Sequence, residues 1–260
     1  MENARLRSWL GTAVVAALVL GSAAGCKDNT VPPADRGLDY YPADVNSFWV
    51  YAVADSIWSQ ATPTQPRSVL TVNNYQFREK ITGSFTDATG QPAFRLVRAK
   101  RELRTSNWVE DSVFTLKITP QTVMLTRNNL RTLELIFPVR NERLWNFNAF
   151  NNNTDDTVTA ETRRYRSIGQ PFTVGTGSAA KTYPQTVTTT DEGTAMQEDR
   201  FYVRTYRQVF AKGVGPVFRQ RRRFNIYYQN SPSTGNPIFF PNAYFFGFSR
   251  TESLVEYGPR

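Results

Sequence analysis

The sequence predicts an all-β fold, a single antiparallel domain built as a half-open barrel or a sandwich. Three observations point there. Strand-length runs rich in β-branched and aromatic residues recur from residue 39 onward. Turn residues separate them at the spacing of an all-β domain, and no segment sustains a helical period. No internal repeat divides the chain, so the runs belong to one unit.

Taken in order, Asp39-Tyr40-Tyr41-Pro42 opens the domain, and Ser47 to Val53 is a strand apolar on much of both faces, broken by Thr62-Pro63-Thr64-Gln65-Pro66. Val69 to Val72 and Tyr75 to Ile81 follow, with Tyr75, Phe77 and Ile81 on one face by alternation. Asp87-Ala88-Thr89-Gly90 reads as a hairpin turn, returning through Phe94 to Arg98. Further strands are read at Trp108–Leu116, Thr122–Leu125 and Leu133–Phe137, the last stopped by Pro138. Residues 139–156 form a long excursion. Thr159–Ser167 and weak strands near Phe172 and Val187 lead to Phe201–Phe210, a Lys212-Gly213-Val214-Gly215 turn, and Val217–Tyr227. An aromatic run, Phe239 to Phe248, precedes the last strand, Ser249–Tyr257.

The first 25 residues stand apart. Arg5 and Arg7 precede an uncharged apolar run, and small residues lead into Cys26, the only cysteine. That is the anatomy of a secretory signal. Residues 26–38, polar and with paired prolines, read as a tether to a domain spanning 39–260. The chain carries a net charge of +9; Arg5 and Arg7 against Glu2 account for +1, leaving +8 beyond the signal. A basic exported protein faces anionic lipid headgroups, acidic polysaccharide or nucleic acid, and export makes nucleic acid the poorest partner.

Histidine is absent, which removes the usual general base near neutral pH, the usual triads and the commonest transition-metal ligand. No cofactor motif or metal-binding motif is read. The adjacent acids Asp155-Asp156, Asp191-Glu192 and Glu198-Asp199 lie in polar stretches and read as solvated turns, not as the paired carboxyls of a glycosidase.

Ser22-Ala23-Ala24-Gly25-Cys26 resembles a bacterial lipoprotein cleavage box. The resemblance implies that Cys26 is lipidated and becomes the first residue of the mature chain. Lys27 in the next position, by the same resemblance, implies the outer membrane, and Lys27-Asp28-Asn29 resembles a surface-export tag of Bacteroidota. The pieces Tyr41-Pro42…Trp49-Val50-Tyr51, Trp108…Asp111-Ser112-Val113, Leu135 to Val139 with Trp145-Asn146, and Val209 to Gly215 resemble an uncharacterised family of Bacteroidota outer-membrane lipoproteins. The Gly-Val-Gly turn between long strands is similar to exported half-barrel proteins related to lipoprotein carriers. Neither resemblance brings an activity.

Three sets of side chains are candidates for function. Arg219, Arg221 and Arg223 fall on one face by alternation, with Arg204 and Arg207 on the preceding strand; together they suit bidentate contact with phosphates or carboxylates. Trp145, Phe147 and Phe150 in the excursion suit a stacking platform for a sugar or apolar ligand. Asp55-Ser56-Ile57, Asp111-Ser112-Val113 and Asp156-Thr157-Val158 resemble the acid–hydroxyl–aliphatic motif of Bacteroidota O-glycosylation, making Ser56, Ser112 and Thr157 candidate acceptors. The expectation is a non-catalytic, lipid-anchored binding or assembly module at the outer membrane, on the cell surface or the periplasmic face. Its partners would be an envelope protein, lipid or polysaccharide. A carrier holding a lipid in a half-open barrel is the first alternative, and a carboxylate-dependent glycan hydrolase the second.

Overall fold

The computed structural model describes residues 35–102, 104–151, 161–192 and 200–259. Cys26 and Thr157 lie outside these. Twelve strands make one antiparallel sheet: β1 (Phe48–Trp58), β2 (Leu70–Thr86), β3 (Pro92–Arg101), β4 (Val109–Ile118), β5 (Thr122–Arg127), β6 (Leu130–Ile136), β7 (Leu144–Asn146), β8 (Thr162–Val174), β9 (Lys181–Glu192), β10 (Tyr202–Ala211), β11 (Gly215–Asn230) and β12 (Pro237–Gly258). Their order is β6-β5-β4-β3-β2-β1-β12-β11-β10-β9-β8-β7. Two meanders are therefore joined where the first strand pairs with the last, Phe48 opposite Gly258 through Trp58 opposite Gly247. The sheet curls into a nearly closed barrel with one open seam, so of the two architectures the sequence allows it adopts the barrel.

The seam lies between β6 and the β7–β8 hairpin, and side chains bridge it. The Tyr165 hydroxyl donates to the Ile136 carbonyl at 2.7 Å and accepts from the Ile136 N–H at 2.8 Å. The Trp145 indole N–H donates to the Leu133 carbonyl at 2.9 Å, and the Leu133 N–H donates to the Phe147 carbonyl at 2.9 Å. An edge strand presents a row of unpaired backbone groups. Here a tyrosine and a tryptophan stand where a ladder would have run. Burial pushes the Tyr165 hydroxyl up, which keeps it a donor.

One end of the barrel is filled. Alternation points Trp49 and Tyr51, Ile81, Leu96, Leu116, Val123, Leu135, Phe210 and Val217 inward, all buried in one apolar cluster. A short 3-10 turn, Leu38–Tyr40, runs across this end, and Tyr41 packs on Trp49 and Phe210. The Trp49 indole donates to the Val214 carbonyl at 2.6 Å and the Tyr51 hydroxyl to the Pro216 carbonyl at 2.9 Å. Gly215, at φ +99° with Trp49 Nε1 3.0 Å from where a Cβ would stand, permits that approach. The plug also reaches into the predicted tether. Arg36 donates to the Pro120 carbonyl at 2.6 Å, and Asp35 accepts from Lys212 at 2.6 Å, so residues 35–38 belong to the domain read as starting at 39.

The long β11–β12 hairpin extends past the barrel and carries its own small cluster, Ala61, Tyr227 and Ala243 with Phe240 and Phe245. The aromatic run at 239–248 is thus continuous with the last strand, as outer packing of β12; of that run only Phe248 reaches the lumenal cavity described next.

Candidate binding site in the barrel lumen

Along each strand, the inward set changes character from the plugged end to the other. On β1 it runs from Trp49 and Tyr51 through Val53 to Asp55, and on β2 from Ile81 to Glu79 and then Phe77 and Tyr75. On β11 it runs from Val217 to Arg219 and Arg221, and on β12 from Leu254 to Glu252 and Arg250. Cross-strand register aligns these changes, with Trp49 opposite Glu79 and Arg219 opposite Glu252. The lower lumen is therefore apolar and the upper lumen charged.

Glu79, wholly buried, is the centre of the charged half. Its carboxylate accepts from both terminal nitrogens of Arg219, each at 3.0 Å, and from Arg98, whose Nε lies at 3.2 Å. Arg219 also donates to Glu252 at 3.0 Å and lies over the Tyr51 ring, the boundary with the apolar floor. Arg98 is held between Phe77 and Phe114. Around this core, Arg250 grips Asp55 through two bonds of 2.6 and 2.7 Å, and the Tyr75 hydroxyl donates to Asp55 at 2.9 Å. Glu134 accepts from Arg127 at 3.3 Å, Thr132 at 2.8 Å and Gln208 at 3.0 Å. Arg163 pairs with Asp191.

Burial alone would raise each of these carboxyls. At Glu79 the Arg219 and Arg98 guanidiniums outweigh burial and hold the group well below the usual carboxylate range. Arg250 does the same for Asp55, and Arg127, Gln208 and Thr132 for Glu134. All three stay ionised. A glycoside hydrolase keeps one carboxyl raised to serve as a general acid, and Asp55, Glu79 and Glu134 are shifted the opposite way.

Above the Glu79 network is a cavity of about 300 Å³, walled by Arg98, Arg127, Arg219, Arg221, Phe147 and Tyr206 among others. A more open recess of about 600 Å³ shares Arg98 and Arg250 with it. Among the described residues no group of acids and other ligands could hold a metal ion.

The predicted arginines separate. Arg221 lines the cavity; Arg223 and Arg204 are exposed, and face each other one step further along β11 and β10. Arg219 lies deeper and is taken by Glu79 and Glu252. Arg207 is on the outer face, over Phe172. The predicted platform separates as well. Trp145 is buried in the seam against Tyr165, Phe147 walls the cavity with Arg163 over its ring at 4.3 Å, and Phe150 is exposed. Ser56 is half-buried mid-strand on β1, and the Ser112 hydroxyl donates to Asp111 at 2.7 Å. Asp191, read as a solvated turn, instead turns inward to Arg163.

Reading the sequence missed Arg98, Arg127, Arg250 and their acids as a set. One signal was present: Glu79 occupies the alternation that carries Tyr75, Phe77 and Ile81, so an acid stands in an otherwise apolar face. Its partners come from strands far away in the chain, and no spacing announces them.

No family model, no curated protein and no solved structure matches the chain.

Proposed function

We propose that the chain is a non-catalytic binding module, lipid-anchored through Cys26 at the outer membrane, whose barrel lumen is the binding surface. The observation that carries this reading is the division of the lumen: packed and apolar at the plugged end, charged and hollow at the other. Preorganised arginines around a cavity suit recognition. The acids that could drive hydrolysis are committed to them as ionised partners. The lipid-carrier alternative draws less support, because the apolar part of the lumen is occupied by its own side chains.

The test is fractionation of cells making the full chain. The native chain is expected in the membrane fraction with an acylated N-terminus by intact mass, and the Cys26→Ser chain in the soluble fraction. An unmodified, soluble native chain overturns the anchor. Native mass spectrometry of the chain released from membranes addresses the lumen. A stoichiometric phospholipid adduct there replaces this reading with the carrier.

A further inference from the structure

Most arginines of the inner face hold acids: Arg98 and Arg219 on Glu79, Arg127 on Glu134, Arg250 on Asp55, and Arg163 on Asp191 and Glu161. Arg221, Arg204 and Arg223 pair with no acid among the described residues. Arg221 is the telling one. Its Nε is shut off from solvent and has no acceptor, as is true of Arg163 and Arg219. Acids already hold those two guanidiniums, whereas that of Arg221 borders the cavity beside the Tyr206 ring, at 5.3 Å. The register sets Tyr206 opposite Arg221 and Arg204 opposite Arg223, so the three cations stand on neighbouring positions of one face.

Like charges side by side on a sheet repel, and partial burial strengthens the repulsion. The Arg223 guanidinium registers this. Burial, then Arg221 and Arg204, push its pKa down, with Glu161 pulling the other way. An anion between them would relieve the repulsion and supply the missing acceptor. A guanidinium fork matches the two oxygens of a carboxylate or phosphate. The rings of Phe147 and Tyr206 wall the same space, leaving room for an apolar or ring-shaped body next to the charge. At about 300 Å³ the cavity is at the small end of ligand pockets.

The geometry points to an oxyanion-binding site in the lumen, in which Arg221 grips the phosphate or carboxylate group of a small ligand and Arg204 and Arg223 draw it in at the mouth. This rests on the binding-module reading only for the lumen's role; the lipid anchor has no part in it and is tested separately.

Calorimetric titration of the full chain in neutral detergent tests the site, with inorganic phosphate and glucuronate as probes and glucose as the uncharged control. At least one anion is expected to saturate a single site and glucose none. Arg221→Gln is expected to weaken binding at least tenfold, and Arg207→Gln on the outer face to leave it unchanged. A fold check by circular dichroism accompanies each variant. Arg204→Gln with Arg223→Gln, two exposed positions, provides a second variant expected to weaken binding and steepen no salt dependence. Absence of saturable binding by either anion overturns the site, as does equal binding by Arg221→Gln. Phosphatidylglycerol vesicles distinguish a headgroup source: binding to vesicles with none to soluble anions places the contact on the outer surface and also overturns it.

Discussion

The two ends of the barrel bury side chains by different physics. At the plugged end, Tyr51, Leu116, Val123, Leu135 and Phe210 exclude water and each other's gaps; their contribution follows the apolar area removed from solvent. At the charged end Glu79 is buried as deeply, and Arg219 and Glu252 nearly so, yet each ion must be desolvated before its partner repays it. The apolar end tolerates change in proportion to the volume lost. The charged end tolerates loss of a pair better than loss of one member. Within the charged end, Arg98, Arg127, Arg219 and Arg250 are held by acids, and Arg221 is the arginine proposed to take a ligand.

The sharpest way to break the comparison is Glu79→Gln. It leaves Arg98 and Arg219 without their shared counter-charge, and a loss of about 3–5 kcal/mol in denaturant unfolding is expected. Replacing Glu79 and Arg219 together by Met and Leu should recover part of that loss; a double variant as unstable as the single would place the damage in packing instead. The same network sets the response to acid. Asp55, Glu79 and Glu134 have folded-state pKa values below those of the unfolded chain, whose ordinary values are 3.8 for Asp and 4.5 for Glu. The unfolded chain therefore takes up protons first. The stabilisation is complete above about pH 5 and declines as pH falls through the ordinary carboxylate range toward the lower folded-state values. Unfolding midpoints measured from pH 7 down to pH 3 check the sign.

At the plugged end, Leu116→Ala is expected to cost about 2–5 kcal/mol. It should not change in the presence of phosphate. A smaller effect is expected at the seam. Tyr165→Phe removes both bonds to Ile136 and leaves a buried N–H and carbonyl unsatisfied, at a cost of about 1–3 kcal/mol. Hydrogen exchange of the Ile136 amide should rise in that variant while the Leu116 amide stays protected; uniform deprotection would make the seam part of the cooperative core. The smallest effect belongs to Arg207→Gln, on the outer face, within about 0.5 kcal/mol of the native chain by the same unfolding assay.

Much of the barrel was legible in the sequence. Alternation put Tyr75, Phe77 and Ile81 on one face, which in the structure is the inner one, and put Arg219 and Arg221 on one side of β11, where the structure has them lining the same cavity. Closure was not legible, because the pairing of β1 with β12 joins residues some two hundred positions apart. β7 lay hidden in the excursion, three residues long and held by Trp145 and Tyr165 rather than by a long ladder. At the site, the arginines stood out by their spacing, but spacing does not say which have acids opposite. Arg219 and Arg221 are equivalent in pattern and opposite in circumstance, and only the register of β12 and β2 around them separates the two.

Urea unfolding of the full chain, with and without inorganic phosphate, compares those two arginines directly. Arg219→Gln is expected to lower the midpoint sharply by stranding Glu79 and Glu252. Arg221→Gln should keep the native midpoint in phosphate-free buffer and lose the phosphate-dependent rise expected of the native chain. Equal destabilisation by the two substitutions, or a phosphate-dependent rise in Arg221→Gln as large as the native one, would contradict the division of the lumen into structural and ligand-binding arginines.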